Sequence, residues 1–282
     1  MKTIFLFVIL SFLLLNNDAP RAYVFSSQIE ENFLSDTTSF AYYKSSWEYA
    51  SIGEYQKALW SFDQAFPGYP NLNEENKEAF LSLNPIHGRE YILDRAKNEK
   101  IVMINEAHHQ PLHRTFTTSL LKGLYERGYR FLGLEAIAHR DSLLNQRGYP
   151  VLSTGYYTQE PQFGNLVREA LKLGYTVFPY ETKIRANGKE REIQQARNIQ
   201  EMVEEHPDGK FLIHCGFDHI NEAYAPGWEK AMAGRVKEFT GINPFTINQE
   251  ILTEHYLKEK ENPYYHLVDT LKEVSVFVDD EG

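Results

Sequence analysis

The sequence predicts an α/β fold, with a mostly parallel sheet, helices on both faces and an N-terminal helical hairpin. Three observations carry that expectation. From residue 100 onward, short apolar runs alternate with longer amphipathic ones. The short runs are apolar almost throughout, which suits strands covered on both faces. Chemistry-bearing residues gather where these runs end, and the carboxyl ends of parallel strands share one edge of the sheet.

The strands and helices follow in order. "KIVMIN" (Lys100–Asn105) is the first strand. "TFTTSLLKGLYERG" places Phe116, Leu120, Leu121 and Leu124 at helical spacing and stops at Gly128. "YRFLGLE" (Tyr129–Glu135) is the second strand. A Tyr/Gly/Pro-rich stretch (Gly148–Gly164) leads into the helix "NLVREALKLG" and the third strand, "YTVFPYE". The long amphipathic "EREIQQARNIQEMVEEH" and the turn "PDG" precede a fourth strand, "KFLIH". "GWEKAMAGRVKEFTG" and "NPFTIN" repeat the alternation.

The N-terminal part reads differently. Met1-Lys2 followed by the apolar run Thr3–Leu15 has the form of an export signal, too short for a spanning helix. Residues 1–22 are therefore expected to be a signal peptide, and the mature protein to be secreted or periplasmic. Residues 23–85 read as helical. "GEYQKALWSFDQAFPGYP" (Gly53–Pro70) has the small and apolar spacing of one tetratricopeptide-like unit, with Tyr49 on the preceding helix. A single copy makes no array, so a hairpin packed on the main domain is expected, with a protein partner at that hairpin as the alternative. The α/β domain is placed at 86–282.

Composition narrows the partners. A net charge of -10 repels nucleic-acid phosphates and anionic lipid, so neither nucleic acid nor membrane beyond the signal segment is expected as a partner. A small-molecule substrate fits better. With Cys215 as the sole cysteine, no intrachain disulfide forms.

The first strand runs into Asn105, Glu106 and His108; the second ends at Glu135, the third at Tyr180 and Glu181, and the fourth leads to His219. In "INEAHHQPLHR", Pro111 suits the first turn of the next helix. His109 and His113 are four apart, yet Pro111 interrupts them, so this is not a zinc-protease helix. Two chemistries stay open. One is a metal site, Zn or Mn, with His108, His219 and Glu135 as ligands. The other is metal-free acid/base catalysis with a histidine base oriented by a glutamate. Adjacent His108 and His109 are expected to point opposite ways, so that one of them serves. His113, Tyr180 and Glu181 line the same rim as candidate cofactor contacts.

"INEAHHQPLH" followed by "FLGLE" resembles the superfamily of erythromycin esterases, ChaN-type haem-binding uptake proteins and Tiki/TraB proteins. Glu106 matches its motif acid, His108 the ChaN- and Tiki-type histidine, His109 the esterase-type one, and Glu135 the second-strand acid. "REIQQARNI" is similar to the esterase helix through Arg191, Glu192, Ala196 and Asn198, and "CGFDHI" to the late G-x-x-H element through Gly216 and His219. The resemblance covers about residues 86–250. It implies a hydrolase cleaving esters or amides. His108 or His109 would be base or ligand, Glu106 and Glu135 orienting groups, His219 a second imidazole and Arg191 an oxyanion contact. ChaN-type members imply haem instead, with the aromatic stretch around Tyr156, Tyr157 and Phe163 as pocket wall. The chain departs from the pattern at Asn105, where Gly is usual, and at Glu192 and Gln195, where Asp and Met are. The span from Glu135 to Glu181 is too short for the large helical insertion of true erythromycin esterases.

Overall fold

The computed structural model describes residues 23–278 apart from 184, 185, 187, 226 and 269. The expected export segment lies outside the described residues. The chain begins with helices α1 (Ser26–Ser35), α2 (Ser39–Ser51), α3 (Tyr55–Ala65) and α4 (Glu74–Leu81), then strand β1 (Asn84–His87) and helix α5 (Gly88–Arg95). Strands and helices then alternate through β2 (Ile101–Glu106), α6 (Pro111–Glu126), β3 (Tyr129–Leu134), the short α7 (Leu144–Arg147) and α8 (Pro161–Leu173). Next come β4 (Thr176–Pro179), α9 (Gly188–Glu205) and β5 (Lys210–Gly216). A small ribbon of β6 (Tyr224–Ala225) and β7 (Glu229–Lys230) precedes α10 (Met232–Thr240), β8 (Phe245–Ile247), α11 (Pro263–Val268) and β9 (Ser275–Val278).

The main sheet has the order β4-β3-β5-β2-β8, with every pairing parallel. The expected α/β class holds. Strand pleating sorts the core. Val102 and Ile104 of β2, with Leu132, Leu134 and Leu212, face Leu120, Leu124, Leu166 and Val167 of α6 and α8. Ile101 and Met103, with Phe211, Ile213 and Cys215, face Ala196, Ile199, Met232 and Val236 of α9 and α10. β2 leads across to β3, and β5 returns between them. The crevice at the carboxyl ends of β2, β5 and β3 is therefore where ligands gather in such sheets.

The N-terminal boundary expected at residue 85 falls inside a strand. β1 pairs antiparallel with β9, Pro85 opposite Phe277, so the two ends of the α/β unit share a small second sheet. The hairpin of α2 and α3 closes on Tyr49, Ala50 and Ala58. It is also fastened to the α/β unit. Asp63 accepts from the Leu257 backbone N–H at 2.7 Å and from His255 Nδ1 at 2.6 Å. Trp47 and Phe62 point toward the end of β2, which makes this hairpin one wall of the site.

Candidate active site

Two polar clusters stand at the sheet edge, one on each face. The first is built on Glu106. Its register puts it on the α6 face together with His214 of β5. Arg114, one turn into α6, donates from Nε and Nη2 to the two Glu106 oxygens, each at 2.6 Å. His108 Nδ1 lies 2.8 Å from Oε1 and His214 Nε2 lies 2.7 Å from Oε2. Burial alone would raise the Glu106 pKa, but the Arg114 guanidinium and the two imidazole hydrogen bonds outweigh it. They hold the carboxyl well below its ordinary range. An ionised carboxylate only accepts, so both imidazoles donate to it. His108 therefore donates from Nδ1, and its Nε2 edge is turned away from Glu106 toward Gly216.

Arg114 does more than balance Glu106. Its Nη1 donates to Glu160 Oε2 at 2.9 Å and its Nη2 to the His108 backbone carbonyl at 2.9 Å. Glu160 in turn caps α8, accepting from the Gln162 and Phe163 N–H groups at 2.9 and 2.7 Å. This cluster is sealed: Arg114 is 0% and Glu106 1% exposed.

The second cluster lies on the α9 face and is built on Arg191. Its guanidinium bonds Glu135 and Glu181 through Nη2, and Nε sits 3.1 Å from Glu181 Oε1. Its Nη1 lies 2.8 Å from His219 Nε2, and His219 Nδ1 lies 2.9 Å from Glu192. Burial raises the Glu135 pKa, but His219, His108, Arg191 and the Gly216 N–H together lower it to about 2. His219 is pulled the other way. Burial lowers its pKa, yet Glu135 and the hydrogen bond that Glu192 accepts from it raise it overall. Trp228 stacks on the His219 ring at 5.3 Å. Unlike Arg114, the Arg191 side chain is 28% exposed.

The clusters meet at Gly216. Its N–H donates to Glu135 Oε2 at 2.7 Å. A Cβ at this position would sit 2.6 Å from His108 Nε2 and 3.2 Å from Glu135 Oε2. Only glycine lets the imidazole and the second carboxylate converge there. Phe217, which follows, has φ +41°, the left-handed region that a bulky residue adopts only under constraint. Asn105 supplies that constraint: its Nδ2 donates to the Phe217 carbonyl at 3.1 Å, and its Oδ1 accepts from the Gln249 N–H at 2.7 Å. Asn105 thus braces the loop. Phe217 and Trp47 present edges to the His108 ring, and Tyr157 stacks on its face at 4.0 Å. Beyond Tyr157 opens a cleft of about 670 Å³, lined by Glu135, Tyr156, Tyr157, Glu181, Lys183 and Arg191 among others.

Of the residues singled out from the sequence, Glu106, His108, Glu135, Glu181, Arg191 and His219 come together. His109 turns away: it stacks on Phe62 at 3.7 Å, and burial with its cationic and imidazole neighbours keeps it neutral. His113 is a brace. Its Nδ1 accepts from the Ala107 N–H at 3.0 Å and its Nε2 reaches Thr253 Oγ1 at 3.3 Å. Burial is the chief reason its pKa falls to about 3. Tyr180 is fully buried, its hydroxyl donating to the His214 carbonyl at 2.8 Å. Cys215 packs in the core, where burial pushes its thiol pKa up. Arg114 and Glu160 were missed. Arg114 is one polar residue on an amphipathic helix, and only Glu160 before Pro161 carries a sequence signal, that of a helix cap.

The fit of a metal or haem can be judged on these contacts. Among the described residues no group of three or more His, Cys, Asp or Glu is arranged to hold a metal ion. Glu135 and His219 lie 3.6 Å apart, and the Arg191 guanidinium engages both. A haem on His108 Nε2 would collide with Gly216 and Tyr157, since the space enclosed by His108, Glu135, Tyr157 and Gly216 does not admit a water molecule. These residues as placed fit neither group.

No protein-family model and no curated protein matches the chain. Comparison with solved structures finds only distant likenesses. The type III effector HopBA1 is 15% identical, over 52% of this chain and 81% of that one, with a TM-score of 0.41. RRSP, a MARTX toxin effector domain from Vibrio vulnificus, is 14% identical over 74% of this chain and 50% of that one, TM-score 0.43. A chain described as a bacterial protein toxin is 13% identical over 80% and 47%, TM-score 0.42. The chain spans about half the length of the latter two.

Proposed function

We propose that the protein is an exported hydrolase of the erythromycin-esterase/ChaN-like type, with His108 as a metal-free general base. One observation carries the reading: His108 is held by Glu106 through Nδ1, and its Nε2 edge is turned to Gly216 beside the ionised Glu135. A base needs an orienting carboxylate behind it, which Glu106 supplies, and an Nε2 edge that substrate and water can reach once Tyr157 moves aside.

In this reading Tyr157 swings off the imidazole and a substrate carbonyl enters from the cleft. Nε2 removes a proton from water while the water oxygen bonds to the carbonyl carbon. Glu135 stabilises the imidazolium so formed, and Arg191 faces the oxygen that becomes negative. The tetrahedral species collapses, the bond to the alcohol or amine breaks, and His108 returns the proton to that leaving group. The products are a carboxylic acid and an alcohol or amine. Export rests on the Met1–Leu15 pattern.

Hydrolysis of a panel of esters and amides by the full chain tests it. His108→Gln and Glu106→Gln should each lower kcat by about 10²- to 10⁴-fold. Turnover that survives His108→Gln unchanged would remove His108 from the chemistry.

A further inference from the structure

The acids and the cations that line the main cleft are not equally engaged. Two carboxylates, Glu135 and Glu181, reach its wall. Both are satisfied from within the protein. Glu181 Oε1 accepts from Arg191 Nε at 3.1 Å and from the Thr182 N–H at 2.7 Å. Its Oε2 accepts from Arg191 Nη2 and from Gln195 Nε2, the latter at 3.1 Å. Glu135 takes Arg191 on one oxygen and the Gly216 N–H on the other. Carboxylates held in this way have little accepting capacity left for a ligand.

Lys183 and His139 line the same cleft, and neither takes part in the two clusters. Lys183 is exposed and has no acidic partner among the described residues. His139 Nε2 donates to the Glu181 backbone carbonyl at 2.6 Å, an oxygen that also accepts from Asn198 Nδ2 at 3.1 Å. This bond ties the ring to the chain two residues before Lys183, so both groups stand at one end of the cleft. The backbone before the ring is braced as well. The Ala138 N–H donates to the Thr154 carbonyl at 2.7 Å, and Ile137 bridges Gly155. The His139 ring is therefore held by one nitrogen, and its Nδ1 edge has no partner among the described residues.

An unmatched ammonium beside a fixed imidazole is a local excess of cationic donors in a chain whose net charge is -10. A carboxylate placed between them would meet the charge of Lys183 directly. It would also favour the protonated ring, whose Nδ1 then donates. We propose that Lys183 and His139 form a carboxylate subsite, which selects substrates bearing an acidic side group. Lys183 supplies the charge and His139 the directed hydrogen bond. The proposal rests on the hydrolase reading only in placing the bond to be cleaved at the other end of the cleft, by His108. It deepens that reading by narrowing the substrate to esters or amides that carry a carboxylate.

Equilibrium binding separates the two claims, because it needs no turnover. Acetyl-glutamate α-amide and acetyl-glutamine α-amide have the same shape and differ in a carboxylate against a carboxamide. Both can be titrated by NMR against the full chain. The glutamate probe should bind the wild type about fivefold tighter at low salt. Lys183→Met, at an exposed position, should erase the preference, and His139→Gln should at least halve it. Equal binding of the two probes by the wild type, or binding of neither, would overturn the subsite without reference to any variant. So would a preference that survives either substitution intact. A preference that stands while no panel substrate is hydrolysed would support the subsite and defeat only the hydrolase reading. Hydrolysis of the panel without any preference would do the reverse.

Discussion

Arg114 and Arg191 each bridge two glutamates beside a histidine, but Arg114 is sealed under the sheet edge and Arg191 faces the cleft. Arg114 joins Glu106 to Glu160 and fixes the His108 backbone. Arg191 joins Glu135 to Glu181 and touches His219. The same chemical unit serves two purposes according to burial. A dry bridge cannot exchange partners without stranding a charge, so it orients. A wet bridge loses little when one carboxylate is traded for a substrate oxygen, so it can take part in binding.

The comparison breaks most visibly at Arg114. Arg114→Met strands the Glu106 and Glu160 carboxylates in the core and should cost about 3–5 kcal/mol. Arg191→Met, at a bridge whose arginine is 28% exposed, should cost less than Arg114→Met. Urea denaturation of both variants measures the gap, and equal losses would erase the distinction between the clusters.

Gly216→Ala probes the seam. The added Cβ would press into His108 beside Glu135. The expected loss is about 1–3 kcal/mol of stability, the usual range for overpacking. Hydrolysis should fall far more than that loss explains, because the added Cβ pushes the imidazole out of the position that Glu106 holds. A variant with full activity would mean that the convergence at Gly216 does not matter.

The smallest effects at neutral pH, and the most diagnostic on acidification, concern titration. His113 is neutral in the fold, with its pKa lowered from 6.5 to about 3. The unfolded chain takes up that proton first, so stability falls as pH drops from 6.5 toward 3. Glu135, lowered from 4.5 to about 2, holds its contribution above pH 4.5 and loses it between 4.5 and 2. His219 has a raised pKa, so its contribution is complete below pH 6.5 and is lost as pH climbs through the raised value. Denaturation midpoints against pH should show His113→Gln flattening the upper part of the acid limb and Glu135→Gln the lower part. An acid limb indifferent to His113→Gln would show that His113 does not carry the early loss.

Much of the fold could be read in advance. Val102, Ile104 and Leu132 on one face and Ile101, Met103 and Phe211 on the other appear in the sequence as unbroken apolar runs, and burial on both faces is the reason. The boundary expected at residue 85 lies within β1, which pairs with β9, and only chain closure brings residues 84–87 and 275–278 together. Of the site, Glu106, His108, Glu135 and His219 stood out because parallel strands deliver their ends to one edge, while Arg191 stood out only through the "REIQQARNI" helix pattern. That His108 faces Gly216 while His109 faces Phe62 was expressed only as an opposition between neighbours. The choice between them depends on the hairpin, whose Trp47 and Phe62 take one ring each.

The sequence by itself determined the alternation of strands and helices and the collection of acids and imidazoles at one rim. These follow from local periodicity and from the direction of parallel strands. The tertiary structure alone decided which cation neutralises which carboxylate. Arg114 and Glu160 lie 46 residues apart, Arg191 and Glu135 lie 56, and no local pattern records such a pairing. It also decided that the Arg191 guanidinium engages both Glu135 and His219, whose Oε1 and Nε2 lie 3.6 Å apart. Charge pairing acts through space and depends on burial, and both are set only when the chain has packed.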